Sequence, residues 1–302
     1  MTGEKDAAGK TLMYEDVNKQ ASIRGMEIEL TIDKTIQYIA EKSLARAVEA
    51  YGAKGGSAIV MNPSTGELLA MATLPTYDPN NFNSFMPEEW RNRAVTDAFE
   101  PGSVVKLFLI SAALEENATR PEEIFFCENG SYRVADRTFH DVEKYGWLTT
   151  SQILKYSSNI GAAKIGERLG KQRLHRYLKS FGFGEKTGVD LPGESTGSFR
   201  HYKKWSGVTI DTVSFGQGIA VTGIQLVTAL SAVANGGFVM KPYVVRRVAD
   251  SKGAVVAETN PSIVRRVISE KTARKMTELL IGVTNGGGTG TKAALEGFEV
   301  AG

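Results

Sequence analysis

The spacing of hydrophobic positions changes character several times along the chain. Over residues 35–52 the apolar side chains Ile36, Ile39, Leu44, Ala47 and Val48 recur at three-to-four spacing, which predicts an amphipathic helix closed by the glycine-rich run 52–56. Two short apolar runs follow, 57–61 and 67–73, around Asn62-Pro63-Ser64-Thr65-Gly66, and they predict a β-hairpin. After a Pro/Asn loop at 76–83, helices are expected near 104–116, 149–154, 158–169, 171–180 and 223–235, with a last one over 270–284. Strands are expected near 238–249 and 254–257. Strand material at both ends of a helix-rich middle predicts an α+β (mixed α/β) architecture, with helices packed on a sheet.

Residues 1–25 are polar without periodicity and are expected to be a linker. The 302 residues carry 36 Lys+Arg against 34 Asp+Glu, a net charge of +2, and 42% of positions are hydrophobic. That composition excludes wholesale disorder, and without a clustered basic stretch it argues against nucleic acid as a partner. Cys127 is the only cysteine, which excludes an intrachain disulfide framework and a cysteine-rich metal site. His140, His175 and His201 lack the spacing of a zinc hydrolase, so no metal is expected. No apolar run reaches the roughly 18 residues of a membrane span, so an anchor is expected only upstream.

The most informative segment is Glu100-Pro101-Gly102-Ser103-Val104-Val105-Lys106, continuing apolar to Leu114. Pro and Gly break the preceding structure, Ser103 stands where a helix starts, and Lys106 is the only charge in a run that is apolar on every face. Ser103 and Lys106 are three apart, so their side chains share a face. Burial disfavours the ammonium form, and so does the positive end of the helix dipole. A lysine that is neutral often enough to take a proton, beside a serine hydroxyl, makes an activated nucleophile without histidine. The bland alternative is a capping serine and a snorkelling lysine. A second constellation, Tyr156-Ser157-Ser158-Asn159-Ile160-Gly161, puts a hydroxyl and a carboxamide at a helix start. They suit proton relay and amide binding, or merely an N-cap and a surface residue.

Together these residues resemble the penicillin-recognising serine acyltransferases, whose signatures are Ser-x-x-Lys, Ser-x-Asn and Lys-Thr-Gly. Ser103/Lys106 and Ser157/Asn159 match the first two. The resemblance extends to Asn62-Pro-Ser-Thr-Gly-Glu-Leu-Leu-Ala-Met-Ala, Phe181-Gly-Phe-Gly, Leu191-Pro-Gly-Glu and Ser214-Phe-Gly-Gln-Gly, and runs from about residue 26 to the end. The chain looks like the transpeptidase domain of a class B penicillin-binding protein of the division or sporulation type. That implies a penicillin-binding protein/serine β-lactamase-like fold, a central antiparallel sheet with a helical subdomain, over residues 26–302. Residues 1–25 would then link it to an upstream pedestal domain.

Lys186-Thr187-Gly188 lies in a turn-rich stretch between Phe181-Gly-Phe-Gly and Leu191-Pro-Gly-Glu, a poor setting for a substrate-docking strand, and is expected to be a structural connection. The resemblance places the catalytic Lys-Thr-Gly after segments similar to Gly287-Gly-Thr-Gly-Thr-Lys and Phe298-Glu-Val-Ala-Gly. That strand, part of the oxyanion hole and the other C-terminal strands of the sheet are thus expected beyond Gly302, missing from this chain. Gly286-Gly-Gly-Thr-Gly-Thr-Lys does not fit a phosphate loop, since Thr291 separates Gly from Lys.

The function this resemblance implies is a peptidoglycan D,D-transpeptidase. Ser103 would attack a stem peptide, Lys106 take its proton, Ser157 relay protons to the leaving group and Asn159 orient the donor's amide. Ser103, Ser157 and Asn159 would also line the substrate site. β-Lactams would acylate Ser103, and no cofactor is implied. Expected partners are stem peptides on lipid-linked or nascent glycan, a membrane glycosyltransferase and divisome proteins, at the external face of the cytoplasmic membrane. A D,D-carboxypeptidase, a β-lactamase, a β-lactam-sensing domain and a silent scaffold are the alternatives. Ser158, where many class A β-lactamases carry Asp, leans against the lactamase.

Overall fold

The computed structural model of the chain describes residues 25–302, so the expected linker lies outside the described residues apart from Gly25. Two compact units are present. The smaller combines residues up to Leu30 with Val245–Thr259, and the larger is Thr31–Val244 with Asn260–Gly302.

In the smaller unit, strands Glu27–Leu30, Val245–Ala249 and Val255–Glu258 form an antiparallel sheet. Asp250 closes its hairpin, accepting from the N–H groups of Lys252 and Ala254 at 2.8 and 2.9 Å. The sequence pattern predicts one strand over 238–249, but the chain breaks at Lys241-Pro242. Phe238–Met240 pairs instead with Ile263–Arg266 in the larger unit. A proline without an N–H interrupts a ladder, so one apolar run serves two sheets.

The larger unit holds α1 (Lys34–Ala50), α2 (Arg93–Thr96), α3 (Val105–Glu115), α4 (Thr150–Lys155), α5 (Asn159–Leu169), α6 (Lys171–Ser180), α7 (Thr209–Ser214), α8 (Gly223–Ala234) and α9 (Glu270–Thr284). Asp33 caps α1, its carboxylate accepting from Thr35 and Ile36 N–H at 2.8 and 2.9 Å. The predicted hairpin forms from Gly56–Met61 and Leu68–Leu74. Leu68, Ala70 and Ala72, two apart along the strand, turn inward, and Ala40, Ile36 and Leu44 of α1 pack on the two alanines. Every named ladder among the described residues is antiparallel.

The core gathers around α3. Every residue from Val105 to Ala113 is buried, as a helix apolar on all faces requires. Phe108 packs against the rings of Phe181 and Phe183, with centroids 4.9 and 5.1 Å away. α4, α5, α6, α7 and α9 all contact α3, so the helix that follows Ser103 is held from several sides. Capping boxes fix two further starts: Thr149 with Gln152 on α4, and Thr222 with Gln225 on α8. Replacing Phe108 with Ala empties the centre of this cluster and is expected to cost about 3–5 kcal/mol. Chemical denaturation of the two proteins checks it.

Candidate active site

Ser103 lies in a short 3-10 turn, Gly102–Val104, that runs straight into α3. It does not cap the helix through its side chain. Gly102, at φ +59°, lets the chain turn from Pro101 into the helical run, and this leaves Ser103 exposed while Lys106, one turn on, is 1% exposed. The Lys106 Nζ lies 3.1 Å from Ser103 Oγ.

Ser157 and Asn159 reach the same amine from the junction of α4 and α5. Lys106 Nζ is 2.9 Å from Ser157 Oγ, 2.5 Å from the Ser157 carbonyl and 2.8 Å from Asn159 Oδ1. Ser157 holds φ +57°, a left-handed conformation that costs a non-glycine residue energy. It aims both the carbonyl and the hydroxyl of one residue at the lysine. Ser158, not Ser157, caps α5, accepting from Gly161 N–H at 2.9 Å. The four candidate side chains from two distant segments therefore form one cluster.

Four oxygens surround one nitrogen. An ammonium has only three N–H bonds to give, whereas a neutral amine donates two and offers a lone pair to the Ser103 hydroxyl. Burial lowers the Lys106 pKa to about 8, partly opposed by the negative charge of Asp141. The pair thus has the geometry and the proton affinity of a nucleophile with its base.

Asp141 is the residue that sequence reasoning missed. One of its oxygens accepts from Asn159 and Ile160 N–H at 2.5 and 3.0 Å, and the other from Ser158 Oγ at 2.7 Å. A carboxylate at a helix N-terminus satisfies otherwise orphaned donors and the dipole together. Asn159 also donates from Nδ2 to the His140 carbonyl at 3.0 Å. Asp141 and His140 arrive at the end of a hairpin, Ser131–Val134 with Arg137–His140, that the sequence pattern did not predict. The only signal was an acidic residue seventeen positions before a helix cap, and spacing alone does not connect them.

Lys186-Thr187-Gly188 has its own partner. Thr187 donates from N and Oγ1 to Glu194 Oε1, both at 2.6 Å, and Gly188 N–H to Oε2 at 3.2 Å. The triplet is a carboxylate-bound connection between α6 and α7. Among the described residues no group of His, Cys, Asp and Glu converges as a metal site would require.

Residues 56–302 match the penicillin binding protein transpeptidase domain. The chain belongs to that family. It is a class B member by its relatives. It is 36% identical to stage V sporulation protein D of Bacillus subtilis over 98% of the chain and 46% of that protein. It is 34% identical to the probable peptidoglycan D,D-transpeptidase PenA of Neisseria meningitidis, over 93% of the chain and 46% of the relative. Penicillin-binding protein 3 of Mycobacterium tuberculosis, solved in complex with aztreonam, superposes with a TM-score of 0.85 at 31% identity, covering 97% of this chain and 70% of that one. The chain spans less than half the length of these two curated relatives.

Within this transpeptidase-family site, Asp141→Asn removes a charge that both caps α5 and raises the Lys106 pKa. The variant is expected to lose about 1 kcal/mol of stability, as a half-buried charge-assisted network does when one partner weakens. The Lys106 pKa should fall further below its usual value. Denaturant unfolding and NMR titration of the lysine side chain check the two effects.

Proposed function

We propose that the chain carries the acyl-transfer site of a peptidoglycan D,D-transpeptidase acting outside the cytoplasmic membrane. The observation that carries this reading is the Lys106 amine, buried and in contact with Ser103 Oγ, Ser157 Oγ and Asn159 Oδ1 at once. Ser103 Oγ bonds to the penultimate D-Ala carbonyl carbon of a stem peptide as its proton passes to Lys106 Nζ. The carbon–nitrogen bond to the terminal D-Ala then breaks, and Ser157 hands a proton to the leaving amine. An amine of a neighbouring stem peptide attacks the ester, releases Ser103 and completes the cross-link. Asn159 has one Nδ2 hydrogen beyond the bond to His140, and that hydrogen serves the donor's amide carbonyl.

A β-lactam follows the same first step, because its strained amide presents a carbonyl to Ser103. The family membership and the aztreonam complex of a relative support this reading. A membrane glycosyltransferase and division proteins are the partners proposed for the whole protein. No helix among the described residues is long and apolar enough to cross a membrane.

Intact-mass analysis after incubation with penicillin tests the nucleophile. In a protein extended to include the expected Lys-Thr-Gly strand a single adduct is expected, lost in Ser103→Ala and slowed about 10²–10⁴-fold in Lys106→Ala, the usual weight of a general base. An adduct that persists in Ser103→Ala overturns the assignment. With a stem-peptide donor in place of penicillin, an acyl adduct that no amine resolves points to a sensing domain and transfer only to water to a carboxypeptidase, while rapid release of hydrolysed penicillin points to a lactamase.

The pH dependence has a defined sign. Lys106 is active when neutral, so acylation is expected to rise with pH and level off above about 8. At pH 6, two units lower, only about one molecule in a hundred holds the free amine. A stopped-flow profile of acylation that is flat from pH 6 to 9 removes Lys106 from the role of base.

A further inference from the structure

Asp211 is fully buried in α7, and among the described residues neither of its carboxylate oxygens has a hydrogen-bond partner of good geometry, its own backbone N–H being the one donor nearby. An ionised carboxylate left in that state costs several kcal/mol. Its side chain instead meets the carboxylate of Glu167 on α5. Two acidic groups in contact bond to each other only when one of them keeps its proton.

The surroundings make this contact consequential. α5 and α7 approach so closely that a Cβ at Gly166 would lie 1.9 Å from Ser214 Oγ. The end of α7 continues into Phe215-Gly216-Gln217-Gly218, and that stretch is fastened to the turn preceding Ser103. Gly102 N–H donates to the Gly216 carbonyl at 3.2 Å, and Gly218 N–H to Glu100 Oε1 at 2.8 Å. Phe215 also meets the ring of Phe139, 5.6 Å between centroids, on the hairpin that delivers Asp141. Tyr132 of the same hairpin donates to Glu167 Oε1 at 3.2 Å.

We propose that Asp211 and Glu167 share one proton, and that this protonated pair is a positioning latch holding α7 and the 215–218 stretch against the turn that carries Ser103. The groups facing the pair are Tyr132 from the hairpin and, beyond its ring, Lys164 of α5, whose charge is taken by Glu128. Both flank Glu167, and neither brings a cation to Asp211. When the shared proton leaves to solvent, two carboxylates face each other and push α7 from α5.

The sign of the pH effect follows from the burial. Burial first, then the hydrogen bond and charge of Glu167, push the Asp211 carboxyl up to about 7 from 3.8. Between those values the unfolded chain has released a proton that the folded chain retains. Stability from this group is therefore full below about 4, falls as pH rises, and is lost above about 7.

The test compares the chain with Asp211→Asn, whose amide donates to Glu167 at every pH. In urea titrations the ratio of folding constants, variant over parent, is expected to rise about tenfold or more between pH 5 and pH 8. A constant ratio overturns the latch. Should Asp211→Asn not fold, Glu167→Gln at an exposed position replaces it, and its stability should decline less steeply than the parent's over the same range. An unchanged slope again overturns the proposal.

The kinetic arm rests on Ser103 being the nucleophile. Both proteins share the rise that Lys106 imposes, and the ratio of their penicillin acylation rates, Asp211→Asn over parent, should itself rise as pH passes through about 7. Coincident profiles remove the positioning role. If no protein takes an adduct at any pH, the nucleophile reading fails, while the urea titrations still decide the latch.

Discussion

Everything at this site depends on placing a lysine amine inside an apolar helix. Lys106 is 1% exposed within a helix whose neighbouring positions are all buried hydrophobes or small residues. An uncompensated ammonium there would be expelled or discharged. The chain answers with oxygens from Ser103, Ser157 and Asn159, and with the Asp141 carboxylate one layer further out. Desolvation and that distant charge act in opposite directions, and the balance leaves an amine that exchanges protons near neutrality. The arrangement does with lysine what a histidine does elsewhere, but only because the packing around α3 keeps water away.

That packing sets strict limits on the helices that bring the oxygens. A Cβ at Gly161 would stand 2.5 Å from Ile153, and one at Gly166 would collide with Ser214. These glycines set how closely α5 lies to α4 and α7, and hence where Ser157 and Asn159 stop. Glycine inside a helix costs about 1 kcal/mol relative to alanine. Here close approach offsets that cost, since one methyl would move the carboxamide off the lysine. The left-handed backbone at Ser157 is a second local cost tolerated for the same geometry.

What the sequence reveals and what it hides divide along the range of the interactions. Ser103 and Lys106 are legible because they are one helical turn apart in a run with no other charge. The helices α1, α3, α4, α5, α6, α8 and α9 fall where the sequence pattern predicts helices, α3 as a run apolar on every face. Hidden are the elements made by distant pairing: the two-residue ladder of Ala98–Phe99 with Val221–Thr222, and the strands Ile124–Phe126 and Trp147–Thr149. The 131–140 hairpin is hidden for another reason. Its turn places Ala135 at φ +53° where glycine or asparagine would have announced it, and its exposed face is mostly polar. Asp141 follows directly from that missed hairpin, so the residue that caps α5 could not be connected to it.

The placement of Asp141 explains why the Ser-x-Asn segment and the lysine behave as one unit. The same carboxylate orders Ser158, Asn159 and Ile160 through short hydrogen bonds and sends its charge to Lys106. A stronger field at Lys106 would hold it as an ammonium and leave Ser103 without a base. A weaker hold on Asn159 would free its carboxamide from the amine. Because Asp141 is spent on the helix start, its charge reaches the lysine only at second hand, and the two requirements are met by one residue. The serine needs a base of moderate strength, and the fold supplies it by separating the charge that tunes the lysine from the oxygens that touch it.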